Sequence, residues 1–377
     1  VRIVQVSPYF APHAGGVESH VRLISRELVR RGHDVTVLTS RYDPSLPERE
    51  EMDGLHVLRA RTLRVVLQTP LDTGVGAAIA GLHPDVVHMH YPPPLTSYFA
   101  ARKLARQPRP TCLTYHCDLY LGGPGGQLVT SLFERVFLPQ TLDRANRIIV
   151  HTRSYGLTSR PLRGRAIEVI PSGVDLQRFR PDVDGQAIRA KLGLEHARVL
   201  AFTGRLVPHK GVDLIVRALP DLPNDVHLLV VGRGPRLPEL HALARRLGVD
   251  DRVHFCADVA DADLPAYLRA ADLFVFPSQN RQEGFGLAVA EALAAGLPVV
   301  IADMPGVREV IEPGEQGLLV EPMIQSDLVA KIRELLDDPA RRARMGREAR
   351  RRAEEQFGLG TVVDRLTSLY QDLRAAG

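Results

Sequence analysis

Short apolar runs followed by stretches of helical periodicity recur along this chain, and the whole series is run through twice. Strands that alternate with helices in this way assemble as parallel, doubly wound sheets, so the expected class is α/β. The first series reads as a strand over 1–7, a glycine-containing loop over 8–16 and an amphipathic helix over about 17–31, which Gly32 ends. Further strands are expected at 34–39, 55–59, 85–90, 111–115, 147–151 and 166–170. Pro171-Ser-Gly-Val-Asp175 is a turn-rich break that reads as a linker. The second series places strands at 199–203, 227–231, 253–256, 273–275, 299–301 and 317–320, and helices at about 326–336, 340–356 and 361–374. At 377 residues the chain has room for roughly two domains. The expected boundaries are 1–175 and 176–356, with the closing segment 357–377 set apart. Ligands of such sheets bind at the carboxyl ends of the strands, so the expected site is a cleft between the two Rossmann-like domains.

Composition narrows the class further. No apolar run reaches the roughly 18 residues of a membrane-spanning helix. Cys112, Cys117 and Cys256 form no C-x-x-C pair, which suits a reducing compartment better than a disulfide framework. The chain also opens on a strand-like segment rather than a leader pattern. The expectation is a cytoplasmic protein. Charge is uneven: residues 1–175 carry 21 Lys/Arg against 15 Asp/Glu, and the rest carries 27 against 29. A basic first half suits an anionic lipid headgroup or a phosphorylated acceptor, and it equally describes a solvated arginine-rich surface. The arginines between 341 and 352 are interleaved with Glu348 and followed by Glu354 and Glu355, which reads as a solvated helix face; no nucleic-acid partner is expected.

The segment richest in chemistry is Pro277-Ser-Gln-Asn-Arg-Gln-Glu-Gly-Phe-Gly-Leu-Ala-Val-Ala-Glu291. A strand ends before it and a helix starts near Gly286 or Leu287. Glu283 and Glu291 would stand about 12 Å apart along a continuous helix, the scale of a nucleotide sugar. Backbone N–H groups around Phe285, Gly286 and Leu287 could receive its diphosphate at the helix N-terminus. Gly204-Arg-Leu-Val-Pro-His-Lys-Gly211 likewise follows a strand and precedes a helix. Cations placed beforehand stabilise a departing diphosphate as it gains charge, each close contact being worth roughly 4 kcal/mol at an effective dielectric near 20 before desolvation, and this segment offers Arg205 and Lys210. Arg offers a bidentate fork and Lys a point charge. Gly15-Gly16 before a helix lets backbone approach a ligand, but no GxGxxG fingerprint supports a nicotinamide cofactor. Gly232-Arg-Gly-Pro235 follows a strand and could border the nucleotide.

No metal is expected. Asp261-Ala-Asp263 reads as helix N-cap chemistry rather than a magnesium site. His88, His90, His116 and Cys117 lack the spacing of a closed zinc site. His88 and His90 share one strand face and read as structural, while His116 ends a strand where its side chain faces the cleft.

Together these segments resemble family 4 of the retaining glycosyltransferases, the glycosyl transferases of group 1, and the likeness runs from the first strand to the last helix. The resemblance implies the GT-B fold, with the helix 361–374 crossing back to the first domain. It implies that Glu283 binds donor-sugar hydroxyls, that Glu291 binds the ribose, and that Arg205 and Lys210 clamp the diphosphate. Gly284, Phe285, Gly286 and Leu287 then line the donor, as do Gly15, Gly16 and Gly232. Cys256 to Val259 would read the base edge through backbone. His116 would contact the donor sugar or the acceptor, and with Glu283, Arg205 and Lys210 it forms the expected catalytic set. Tyr115, Asp118 and Glu18 fall on the acceptor side.

The implied activity is a metal-independent, retaining transfer of a hexose-type sugar from a nucleotide diphosphate sugar to a hydroxyl. No cofactor is implied. The acceptor could be lipid-linked, in glycolipid, cell-envelope polysaccharide or glycoside synthesis, with peripheral association at the inner face of the plasma membrane. Donor sugar, base, acceptor and oligomeric state are not legible, and residues 46–81 and 119–136 carry no motif that decodes. Two rivals stay open: a nucleotide-sugar epimerase of the same fold, which an isomerisation assay without acceptor would expose, and a catalytically silent nucleotide-sugar-binding protein.

Overall fold

Strands that are apolar along their whole length must be covered on both faces, and the parallel arrangement with helices above and below does this. The computed structural model describes residues 1–13, 15–121 and 125–376. Position 14, in the loop before Gly15, and positions 122–124, in the stretch without a motif, lie outside them. The chain divides into two units: Val1–Gly173 with Leu359–Gly377, and Val174–Gly358.

The first unit holds β1 (Arg2–Val6), β2 (Asp34–Ser40), β3 (Arg49–Met52), β4 (Leu55–Ala60), a small hairpin of β5 (Val65–Val66) and β6 (Thr69–Pro70), β7 (Val86–Tyr91), β8 (Thr111–Tyr115), β9 (Arg147–Val150) and β10 (Glu168–Val169). Eight of them form one sheet in the order β10-β9-β8-β7-β1-β2-β4-β3. Every pairing in it is parallel except β3 with β4. Apolar clusters fill both faces, one around Val6, Met89 and Leu113, the other around Ile3, Ile24 and Val35. The final helix, Leu359–Ala375, belongs to this unit and buries Val362, Leu366 and Tyr370 in the second cluster.

The second unit holds β11 (Arg198–Thr203), β12 (Val226–Val231), β13 (Val253–Cys256), β14 (Leu273–Phe276), β15 (Val299–Ala302) and β16 (Gly317–Val320). Their order is β13-β12-β11-β14-β15-β16, all parallel. The order reverses between β11 and β14, and a crevice at such a reversal is where doubly wound sheets hold ligands.

Two local expectations need correction. The last but one helix keeps α geometry only over Pro339–Arg352 and continues through Ala353–Phe357 with π-type bonds. Asp261 and Asp263 do not cap a helix with their side chains. They form a 3-10 turn, and the Asp261 carboxylate accepts from Arg178 Nη2 at 2.8 Å instead. No helix among the described residues is long and apolar enough to cross a membrane.

Candidate active site

Four loops leave the carboxyl ends of β11, β12, β13 and β14, and glycine contacts hold them together. Gly211 has φ +71, and a Cβ there would lie 2.1 Å from the Pro277 carbonyl, so the loop after β11 presses on the loop after β14. The His209 carbonyl ties the same two loops, accepting from the Gln279 N–H at 2.7 Å and the Ser278 hydroxyl at 3.2 Å. A Cβ on Gly232 would meet the Gly204 carbonyl at 2.0 Å, which locks the β11 and β12 exits against each other. The Gly232 N–H donates to the Cys256 carbonyl at 3.1 Å, and Arg233 Nε donates to the Ala257 carbonyl at 2.6 Å. Val259 lies half-buried against the core of the unit.

Within this frame Lys210 and Glu283 form an ion pair between the two loops, with side chains only 17% and 12% exposed. The Lys210 ammonium also sits over the Phe276 ring, 4.8 Å from its centroid. Arg205 is exposed on the same loop. His209 registers this company: burial pushes its imidazole down to about 4, Lys210 and Arg205 push the same way, and Glu283 opposes them. Arg205, Lys210 and Glu283 are therefore close enough to act on one side chain.

Beyond Glu283, Gly284, Phe285 and Gly286 are buried, and the Phe285 ring packs edge-on to Phe357 with centroids 5.5 Å apart. Phe285 thus offers a ligand its backbone rather than its ring. Gly286 has φ +85 and caps the helix Leu287–Ala294; its carbonyl accepts from the Val289 N–H at 2.8 Å, so the N–H groups of Leu287 and Ala288 are the ones that precede the helix's own bonds. Glu291 lies on that helix with a different set of neighbours. Burial raises its carboxyl to about 7, partly offset by Arg178 and reinforced by Asp261. The four expected donor ligands thus fall into two groups, three around His209 and Glu291 beside Arg178. Nothing in the sequence had singled out Arg178.

On the first unit, β7 carries His90 near its carboxyl end, and His116 and His151 directly follow β8 and β9. His90 Nδ1 lies 3.0 Å from His116 Nε2, and His116 Nδ1 lies 2.9 Å from His151 Nε2. His20, from the helix Gly16–Arg30, packs its ring edge-on to all three at 5.1–5.9 Å. His88 bonds to Tyr370 and Thr114, each at 2.7 Å. Burial pushes all five imidazoles down, His88 to about 3 and His151 to about 4.

This arrangement corrects several expectations. Both His116 ring nitrogens are engaged inside the protein, so the ring does not present a nitrogen to sugar or acceptor as expected. Tyr115 is fully buried, stacked on Tyr91 and bonded to Asp118 at 2.9 Å, so it is a core residue rather than an acceptor contact. Asp118 also accepts from Ser159 at 2.6 Å. The Glu18 carboxylate turns back towards Gly15 and lies 2.8 Å from His13 Nδ1. Gly15 is extended, and Gly16 has open space beside it. The grouping of His88, His90, His116 and Cys117 is replaced by His20, His90 and His116, whose ring nitrogens lie within 4.8 Å of one another. A histidine at the end of each of three successive strands was the available signal.

Comparison with known proteins adds an independent finding. The family model described as Glycosyltransferase Family 4 matches residues 14–178, and that of Glycosyl transferases group 1 matches residues 184–352. The GDP-mannose-dependent alpha-(1-6)-phosphatidylinositol monomannoside mannosyltransferase of Mycolicibacterium smegmatis is 30% identical over 97% of each chain. The D-inositol 3-phosphate glycosyltransferase of Kineococcus radiotolerans is 31% identical over 98% of this chain and 93% of its own. Among solved structures, the sucrose-phosphate synthase of Thermosynechococcus elongatus aligns over the full length of both chains with a TM-score of 0.83 at 24% identity, a likeness of fold.

Proposed function

The chain belongs to glycosyltransferase family 4, the glycosyl transferases of group 1, with the GT-B fold, and we propose that it transfers a hexose with retention from a nucleotide diphosphate hexose to a hydroxyl of an anionic, inositol-phosphate-type acceptor. The observation that carries the reading is the Lys210–Glu283 pair at the strand-order reversal, with Arg205 exposed on the same loop as Lys210. The relatives' acceptors, a phosphatidylinositol mannoside and inositol 3-phosphate, suggest the acceptor class. The basic first 175 residues suit its charge.

In this reading the diphosphate takes Lys210 away from Glu283 and bonds to Lys210 and Arg205, with the backbone at Gly286–Leu287 as a further donor. Glu283, released, accepts hydrogen bonds from sugar hydroxyls. Glu291, on the helix Leu287–Ala294, accepts from the ribose. The bond between the anomeric carbon and the phosphate oxygen lengthens first, giving an oxocarbenium-like centre, and the cations stabilise charge growing on the leaving diphosphate. The acceptor oxygen forms the new bond on the same face, and its proton passes to the departing phosphate. No carboxylate nucleophile and no magnesium enters this scheme. The histidine cluster would organise the first unit's side of the reaction from within, His116 acting by position.

The test is a transfer assay pairing GDP-mannose, UDP-glucose and related donors with inositol phosphates and phosphatidylinositol, reading the product anomer by NMR. An α-linked product from an α-configured donor supports the reading. An inverted product, or isomerisation of the donor without acceptor, contradicts it.

A further inference from the structure

Three imidazoles on the first unit stand in line between two acceptors. His90 Nε2 lies 2.8 Å from Gln5 Oε1, and His151 Nδ1 lies 3.1 Å from the Ile170 carbonyl. Between them run the His90–His116 and His116–His151 contacts at 3.0 and 2.9 Å. Both ends accept, so four links need four protons, whereas three neutral imidazoles bring one each. The tautomer set that serves the oxygen acceptors at both ends and the His116–His151 contact puts the protons on His90 Nε2, His116 Nδ1 and His151 Nδ1. The remaining link, His90 Nδ1 to His116 Nε2, is then two lone pairs facing each other, a place for a cation.

A third lone pair comes from His20. Its Nδ1 lies 3.1 Å from the Ser172 hydroxyl, which can accept the Nδ1 proton and leave Nε2 as the lone-pair nitrogen. His20, His90 and His116 are 4%, 0% and 8% exposed, with ring nitrogens within 4.8 Å of one another. We propose that His20, His90 and His116 form a binding site for a borderline divalent transition-metal ion, with Zn2+ or Co2+ as the fitting class.

The chemistry of the set supports that class. Three imidazoles with no carboxylate or thiolate among them suit Zn2+, Co2+, Ni2+ or Cu2+ and not Mg2+. Each ligand imidazole donates its other N–H to a fixed partner, Gln5, His151 or Ser172, as metal-bound histidines do. Nitrogens around a tetrahedral zinc at 2.0–2.1 Å stand about 3.3 Å apart. His90 and His116 need part by only a few tenths of an ångström, and His20 needs to close in. The set joins the helix Gly16–Arg30 to β7 and the end of β8, so an ion there would fix the His116 ring. This site is separate in kind from the phosphate clamp of the second unit, and it does not depend on the donor reading.

The experiment uses the full chain without a polyhistidine tag, stripped by chelator and titrated with Co2+. The readout is the visible absorption of Co2+ in a nitrogen field. One equivalent is expected to bind and to be displaced by one equivalent of Zn2+. His20→Ala should weaken binding by more than about a hundredfold, and Ser172→Ala by roughly tenfold, since outer partners of ligand histidines carry 10–100-fold in affinity. Ser172→Ala keeps all three ligands and guards against a misfolded His20 variant. No saturable binding to the wild-type chain, or binding unchanged in both variants, overturns the proposal. The fourth proton then comes from the Gln5 amide turned end for end. Nucleotide-sugar binding by the stripped protein, measured in parallel, reports on the donor reading alone.

Discussion

Lys210 and Glu283 form an ion pair although 73 residues separate them, because one ends the loop after β11 and the other lies in the loop after β14. Those strands are neighbours in the sheet, and the pair sits where its order reverses. In the proposed reading each residue holds the other's charge in place until the donor arrives, Lys210 for the diphosphate and Glu283 for sugar hydroxyls. Glu283→Ala is predicted to lower kcat/KM by about a thousandfold or more, the scale of losing a group that acts in the transition state. Its stability should fall as well, by up to about 3–5 kcal/mol, since the mostly buried Lys210 ammonium is left without its partner. Transfer within tenfold of wild type would remove Glu283 from the site.

Lys210→Ala and Arg205→Ala should each lower kcat by about 100- to 1,000-fold, the range seen when a preorganised electrostatic donor is removed. Lys210→Arg should restore little, because the larger guanidinium does not reproduce the compact point charge that pairs with Glu283 in a mostly buried position. Lys210 and Glu283 are in contact, so the double variant should lose less than the product of the two single losses. Steady-state kinetics of wild type, these variants and Glu283→Ala gives the answer.

Glu291 makes a prediction in pH. Its folded carboxyl is raised from 4.5 to about 7, chiefly by burial. The folded form holds the proton more tightly, so this group's stabilising contribution is present below about pH 4.5 and lost as pH rises through about 7. If Glu291 accepts from the ribose as proposed, donor binding needs its ionised form. The KM for donor should fall about tenfold between pH 6 and 8, and Glu291→Gln should flatten that change. An identical profile in the variant would assign the titration elsewhere.

In the proposed reading the clamp of Lys210 and Arg205 replaces a hard divalent ion at the departing diphosphate. Transfer in buffers freed of Mg2+ and Mn2+, with Zn2+ supplied separately, should stay within about twofold of the supplemented rate. A strict requirement for Mg2+ would contradict the clamp.

Gly211→Ala tests the frame rather than the chemistry. The added Cβ would fall 2.1 Å from the Pro277 carbonyl at a φ of +71, so the two loops must separate. The variant should lose more than about 2 kcal/mol in denaturant unfolding and lose activity with it. Gly193→Ala, also left-handed but with open space around it, should cost less stability and leave transfer intact.

Much of the fold was legible because apolar runs and helix signals are local. The strands at 199–203 and 299–301 match β11 and β15 to within a residue. β3 was missed because Arg-Glu-Glu-Met has no apolar alternation; it is an antiparallel edge strand, fixed in part by Glu50 meeting the buried Arg59 at 2.7 Å. Glu283, Arg205 and Lys210 stood out because glycine-rich turns flank them. Arg178 and His20 did not, since their partners Asp261 and His90 are distant in sequence and only the sheet brings them together. The position of His116 at a strand end was legible, but the histidines that face both its ring nitrogens were not.

The account stands on one nucleotide sugar being held by Arg205, Lys210, Glu283 and Glu291 together. Isothermal titration of wild type and the four alanine variants, with a donor chosen by thermal-shift screening and with its free nucleoside diphosphate, tests this directly. The predicted result is one site per chain, with the diphosphate weakened by loss of Arg205, Lys210 or Glu291. Loss of Glu283 should weaken the sugar nucleotide and leave the free diphosphate unchanged. Equal binding of both ligands by all five proteins would contradict the account.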